Sequence, residues 1–138
     1  MKNSHHLLFV LFSLLIYPVT SAQDITGEWY SLLNLENFSL RIHLHIQYEN
    51  NKLKATIQSP DYKAYHINID QADFENGNLS FQIYSLKTSY EGEVNRAFTQ
   101  IQGDFLQNGQ YIPSDFSRRP VLIPKSSPNY IRRYYRKK

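Results

Sequence analysis

Residues 38–48 read FSLRIHLHIQY, eleven positions that alternate apolar and polar without a slip. Phe38, Leu40, Ile42, Leu44, Ile46 and Tyr48 share one face of an extended strand, and Ser39, Arg41, His43, His45 and Gln47 share the other. Successive strand side chains point to opposite faces, so a strict period of two describes a sheet with one dry side and one wet side. Weaker copies of the pattern follow at 53–58, 65–70, 72–75, 79–84, 89–94, 100–106 and 110–117, and one precedes it at 25–33. Between them stand turn residues: Asn50-Asn51, Ser59-Pro60-Asp61, Asn76-Gly77 and Asn108-Gly109. Asn-Gly tolerates the positive φ that tight hairpins demand, so it predicts hairpins at 76–77 and 108–109.

These segments make about 8–9 short strands at about ten-residue spacing, with no amphipathic helix to cross between parallel strands. The fold class predicted is all-β, a small antiparallel and mostly up-and-down β-barrel. Closure removes the two free edges that an open sheet of this size would offer to other chains. A two-sheet sandwich is the alternative, because alternation does not say how the dry face is covered.

Three segments are predicted. Residues 1–22 carry Lys2, an apolar run at 7–16 and a small-residue exit, the pattern of a secretory signal peptide cut between Ala22 and Gln23. About ten apolar residues fall short of the roughly twenty a spanning helix needs, so a secreted or periplasmic location is expected. Residues 23–118 form the barrel domain. Residues 119–138 form a linker with Pro120, Pro124 and Pro128 and a basic tail, expected to be disordered. From 24 to 117 the net charge is minus six, whereas 118–138 hold eight basic and no acidic residues, so the overall charge of +3 belongs to the tail. The chain has no cysteine, which excludes a disulfide-stapled scaffold and a thiol nucleophile.

Gly27-Glu28-Trp29 opens the first strand as the G-x-W of lipocalin-like (calycin-like) barrels does. Together with Ser59-Pro60-Asp61, Tyr90-Glu91-Gly92, Ile101-Gln102-Gly103-Asp104-Phe105 and Arg118-Arg119-Pro120, it resembles the β-domain preceding the catalytic domain in secreted α/β hydrolases of Bacteroidetes-type bacteria. The family's hydrolase domain carries its nucleophile in a G-x-S-x-G elbow, and no such motif occurs in these 138 residues. The resemblance implies a non-catalytic accessory module, standing alone or left from an interrupted gene, with an exported hydrolase domain as partner. It also implies that Trp29 closes one barrel end with Arg118 packed across it. The competing reading is an ordinary core tryptophan.

Several other residues bear on chemistry. Leu40, Ile42, Leu44, Ile57, Phe81 and Phe105 are the candidates for an interior that takes an apolar small molecule, the carrier alternative. His43, His45 and Glu49 spell H-x-H-x-x-x-E, a weak metal-site candidate, because both histidines fall on the wet face. Glu91 and Glu93 share a strand face, as an acid/base pair or as a solvated edge. No complete nucleophile set, phosphate loop or cofactor motif occurs, and no catalytic residue is expected. Arg132, Arg133, Arg136, Lys137 and Lys138, interleaved with tyrosines, suit weak contact with an anionic surface; nucleic acid is not an expected partner of an exported chain. In a eukaryotic secretory route Asn37 and Asn78 would be glycosylation acceptors.

Overall fold

The computed structural model describes residues 24–61 and 64–122, so the export signal, its cleavage point and the five cations of the tail lie outside the described residues. Ten strand segments follow in order: β1 Gly27–Asn34, β2 Ser39–Glu49, β3 Lys52–Ser59, β4 Ala64–Asn68, β5 Gln71–Glu75, β6 Asn78–Ile83, β7 Thr88–Val94, β8 Gln100–Gln107, β9 Gln110–Pro113 and β10 Phe116–Ser117. All pairings are antiparallel, and the sheet runs β4-β3-β2-β1-β10-β8-β7-β6-β5, with β9 also on β8.

Two pairs of segments are single strands interrupted. β8 pairs Asp104 with Pro113 and Ile101 with Phe116 in one unbroken register, so β9 and β10 continue each other across Ser114 and Asp115. β4 and β5 are joined by Ile69 and Asp70 alone. The Ile69 amide donates to Ala55 O of β3 (3.1 Å), and the Asp70 amide donates to Gln82 O of β6 (3.0 Å). The bent strand therefore pairs with β3 through its first half and with β6 through its second. Tyr30↔Ser117 closes the other seam, β1 to β10. The result is an eight-strand, up-and-down ring, the small antiparallel barrel expected from the alternation.

Local chemistry explains the turns. Asn76 (φ 52°) and Asn108 (φ 51°) each precede a positive-φ glycine, and Asn50-Asn51 (φ 51° and 62°) turns β2 into β3 in the same left-handed region. The expected strand at 79–84 ends at Ile83 instead, because Tyr84–Leu86 form a 3-10 turn that closes on Lys87 at φ 49°. The last predicted strand, 110–117, is broken in the middle for a reason that lies in the core.

Ile42, Leu44, Ile57, Phe81 and Phe105 all belong to one buried cluster with Trp29, Tyr90, Ile101 and Phe116, and Leu40 packs against it from its edge. Tyr90 sits at the centre, with ring centroids 5.0 Å from Phe81, 4.9 Å from Phe105 and 5.3 Å from Phe116. An eight-stranded barrel is narrow enough for its own side chains to fill, and here aromatic rings fill it. Gly92 and Gly103 face each other across β7 and β8 and leave room for the Tyr90 phenol; a Cβ on either would lie within 2.7 Å of its oxygen. That hydroxyl donates to Ser114 O (2.9 Å), drawing the carbonyl out of the ladder, and the Gly103 amide turns to the Asp115 carboxylate (3.2 Å). The Ser114 amide still donates to Gly103 O. One tyrosine thus splits β9 from β10. Burial, with help from Asp115 and Asp104, pushes the Tyr90 phenol well above the ordinary tyrosine value.

Candidate functional site

At one barrel end, the Arg118 guanidinium carbon lies 3.6 Å from the Trp29 ring centroid. Its nitrogens donate to four backbone carbonyls: Asp24 O (2.6 Å), Thr26 O (2.7 Å), Glu28 O (3.3 Å) and Phe98 O (3.0 Å). The Trp29 indole N–H donates to Ile25 O (2.9 Å). Gly27 makes this approach feasible. It holds φ +100°, and a Cβ there would lie 3.1 Å from an Arg118 nitrogen. The arrangement ties the chain before β1 to the chain after β10. Every donor on it is directed at the protein's own backbone, so it is a clasp.

The outer face of β1–β4 is organised differently. β1 pairs Tyr30 with His43 of β2, and β2 pairs His43 with Gln58 of β3, so three planar side chains lie in one row. Tyr30 and His43 stack with centroids 4.7 Å apart and planes at 15°. The next row holds Glu28 and His45. The Glu28 carboxylate accepts from His43 Nε2 and, at 2.6 Å, from His45 Nδ1, while the Gln58 amide donates to His43 Nδ1 (2.7 Å). Burial alone would raise the Glu28 pKa, but the bonds from both imidazoles outweigh it and hold the carboxyl below its usual range.

His43 and His45 therefore stand on the wet face, as expected, but their carboxylate is Glu28 rather than Glu49. Strand pairing brings a residue fifteen positions before His43 onto the histidines, and the H-x-H-x-x-x-E spacing pointed along the wrong axis. Glu49 is exposed at the far end of β2, opposite Lys52. Among the described residues no group of three His, Asp or Glu is arranged to hold a metal ion.

Beside this row, Arg41 is gripped by Asp61. The carboxylate accepts from the Arg41 amide (2.8 Å), from Nε (3.0 Å) and from Nη2 (2.6 Å), and its side chain is only 3% exposed. These bonds raise the Arg41 pKa further above its ordinary value. They also explain Ser59-Pro60-Asp61: the turn after β3 exists in this form because its aspartate is buried against β2. No sequence pattern linked Arg41 to a residue twenty positions away.

These groups border a surface groove of about 560 Å³. Tyr30, His43 and Gln58 lie along it, Arg41, Pro60 and His66 border it, and Pro120 and Val121 of the chain leaving β10 also line it. Ile42 is the only one of the six interior candidates among its lining residues. The opposite wall is plain by comparison. Glu91 and Glu93 are exposed, Glu91 stands level with Ser80 and Asp104, and β5 to β8 carry five carboxylates and no lysine or arginine. Like charges set side by side at a solvated surface keep an edge soluble; no partner group makes them an acid/base pair.

No family model, curated protein or solved structure matches the chain.

Proposed function

We propose that the chain is a non-catalytic, exported β-barrel module that binds through the outer groove of β1–β4. The observation that carries this reading is the contrast between a core filled by packed aromatic rings and an outer face with an open, aromatic-lined groove. Small-molecule sites are concave and largely apolar with a few convergent polar groups, a description that fits the groove and not the packed interior. The likeness to β-domains of secreted α/β hydrolases supports the same reading, with an exported hydrolase as the partner that such a module would position.

Catalysis finds little support. The histidines bond to a carboxylate and an amide, and among the described residues no hydroxyl is hydrogen-bonded to either ring. A base without a hydrogen-bonded nucleophile does not complete a covalent hydrolytic site. The carrier alternative requires space inside the barrel, where Tyr90 and its neighbours pack.

Native mass spectrometry of protein recovered from an exporting host tests the reading. The mass of the bare mature polypeptide is expected. Retention of a lipid-sized adduct that denaturation releases would favour the carrier instead. Turnover of a nitrophenyl ester above background, lost in His45→Ala, would favour an enzyme.

A further inference from the structure

Within the groove, hydrogen-bonding capacity is left over while charge is not. The Arg41 guanidinium spends Nε and Nη2 on Asp61 and keeps Nη1. Gln58 spends an amide hydrogen on His43 and keeps its carbonyl oxygen. The Tyr30 hydroxyl and the exposed His66 ring, both at the groove, make no hydrogen bond among the described residues. Meanwhile Arg41 is neutralised by a buried carboxylate, and Glu28 is occupied by two imidazoles. Donors and acceptors are thus present together, on flat side chains, between apolar surfaces from Tyr30, Pro60 and Val121.

An ionic ligand would find no unpaired charge of opposite sign here. A purely apolar one would strand the polar atoms without partners. An extended peptide usually gains affinity by adding a strand to a sheet edge, and β1, β2 and β3, which carry most of the groove, are each flanked by strands on both sides. What suits the groove is a neutral ring with apolar C–H faces and hydroxyls around its rim. Its C–H groups can lie on aromatic faces, whose electron density attracts positively polarised hydrogens. Its hydroxyls both donate and accept.

We infer that the groove of Tyr30, Arg41, His43, Gln58 and His66 is a saccharide-binding site for neutral sugar rings. This inference rests on the outer-groove reading above and gives it a ligand class. Tyr30 supplies the flat surface, with the stacked His43 ring backing its other face. Arg41 Nη1, Gln58 Oε1 and His66 supply the polar contacts, and Asp61 acts as the positioning residue that fixes Arg41.

The test is an amide and side-chain NMR titration of the mature protein with neutral oligosaccharide probes: cellohexaose, xylohexaose and a soluble β-1,3-glucan hexamer. A proline-rich peptide and lauric acid serve as comparison arms. At least one oligosaccharide should give saturable shifts confined to residues around the groove, with Kd about 1 mM or tighter. Gln58→Ala and His66→Ala should each weaken that binding about threefold or more with the remaining spectrum unchanged. Tyr30→Ala should weaken it at least tenfold, while Tyr111→Ala, an exposed aromatic on β9, should leave it intact. Failure of all three sugars to give saturable shifts, or shifts that Tyr30→Ala does not reduce, would overturn the inference. Peptide shifts at the groove without sugar shifts would sink the saccharide and keep the outer-groove reading. Lauric acid shifting the signals of Leu44, Ile57 and Ile101 would sink both.

Discussion

Removing Arg118 should cost more stability than removing any other charged side chain in the described barrel. Its guanidinium makes four hydrogen bonds to backbone carbonyls and lies 3.6 Å from the Trp29 ring centroid. A desolvated cation–π contact contributes about 2 kcal/mol, and a charged hydrogen bond about 1.5–3 kcal/mol before water replaces the lost donor. Water can reach the freed carbonyls at the barrel rim, so the bonds count at the low end and partly overlap. Arg118→Ala should then destabilise by about 3–5 kcal/mol, a large share of the 5–15 kcal/mol typical of a domain. For a chain of this size each kcal/mol moves Tm by about 4–8 °C, which places the loss at about 12 °C or more. Arg118→Lys keeps the charge but cannot fork to several carbonyls, so it should recover less than half. Gly27→Ala should lose about 1–3 kcal/mol through its φ of +100° and the crowding of the same guanidinium. The assay is thermal unfolding followed by circular dichroism, with a double-mutant cycle of Trp29→Leu and Arg118→Ala. A coupling of about 1–2 kcal/mol is expected. A loss under about 1 kcal/mol for Arg118→Ala, or no coupling, would refute the clasp.

Burial raises the Tyr90 pKa above the unfolded value of about 10. The folded protein therefore holds a proton that the unfolded chain releases. Its contribution to stability is fully present below pH 10 and falls as pH rises above it, by up to about 1.4 kcal/mol per pH unit. Denaturant titrations between pH 8 and 11 should show this decline, and Tyr90→Phe should flatten it while costing about 1–2 kcal/mol at neutral pH for the unpaired Ser114 carbonyl. Gly103→Ala sets a Cβ 2.5 Å from the same phenol oxygen and should cost about 2–3 kcal/mol in a urea midpoint measurement. Asp61→Ala should cost about 2–3 kcal/mol in a urea midpoint measurement, since it leaves the Arg41 amide and two guanidinium nitrogens without their acceptor.

The barrel was legible because its information is local. Residues 38–48 display a whole strand's two faces, and Asn76-Gly77 and Asn108-Gly109 state their turns in two residues each. The split of 110–117 was not legible. It depends on Tyr90 reaching Ser114, twenty-four positions away, and nothing in QYIPSDFS announces that a side chain will take one of its ladder bonds. The joining of β4 and β5 into one bent strand escaped for a similar reason: whether Ile69 and Asp70 interrupt a strand or bend it is settled by Ala55 and Gln82. The groove was half visible. Arg41, His43 and His45 all occupy wet-face positions in the 38–48 pattern, so their shared side was predictable, whereas Tyr30 joins them only through the β1–β2 register. Their partners Glu28, Gln58 and Asp61 come from neighbouring strands and a turn, and register between strands is not written within any one of them.

Ring closure around a filled core is the premise from which the outer groove draws its importance, and native-state amide hydrogen exchange tests it most directly. Ile69 and Asp70 stand at the bend between β4 and β5, where their amides bond to Ala55 O and Gln82 O on the two strands that the bent strand joins. Both should exchange as slowly as Leu44 and Ile101 in the core, through global unfolding only. Exchange of Ile69 and Asp70 at rates typical of open loops, while the core stays protected, would mean an open sheet with free edges and would contradict the barrel.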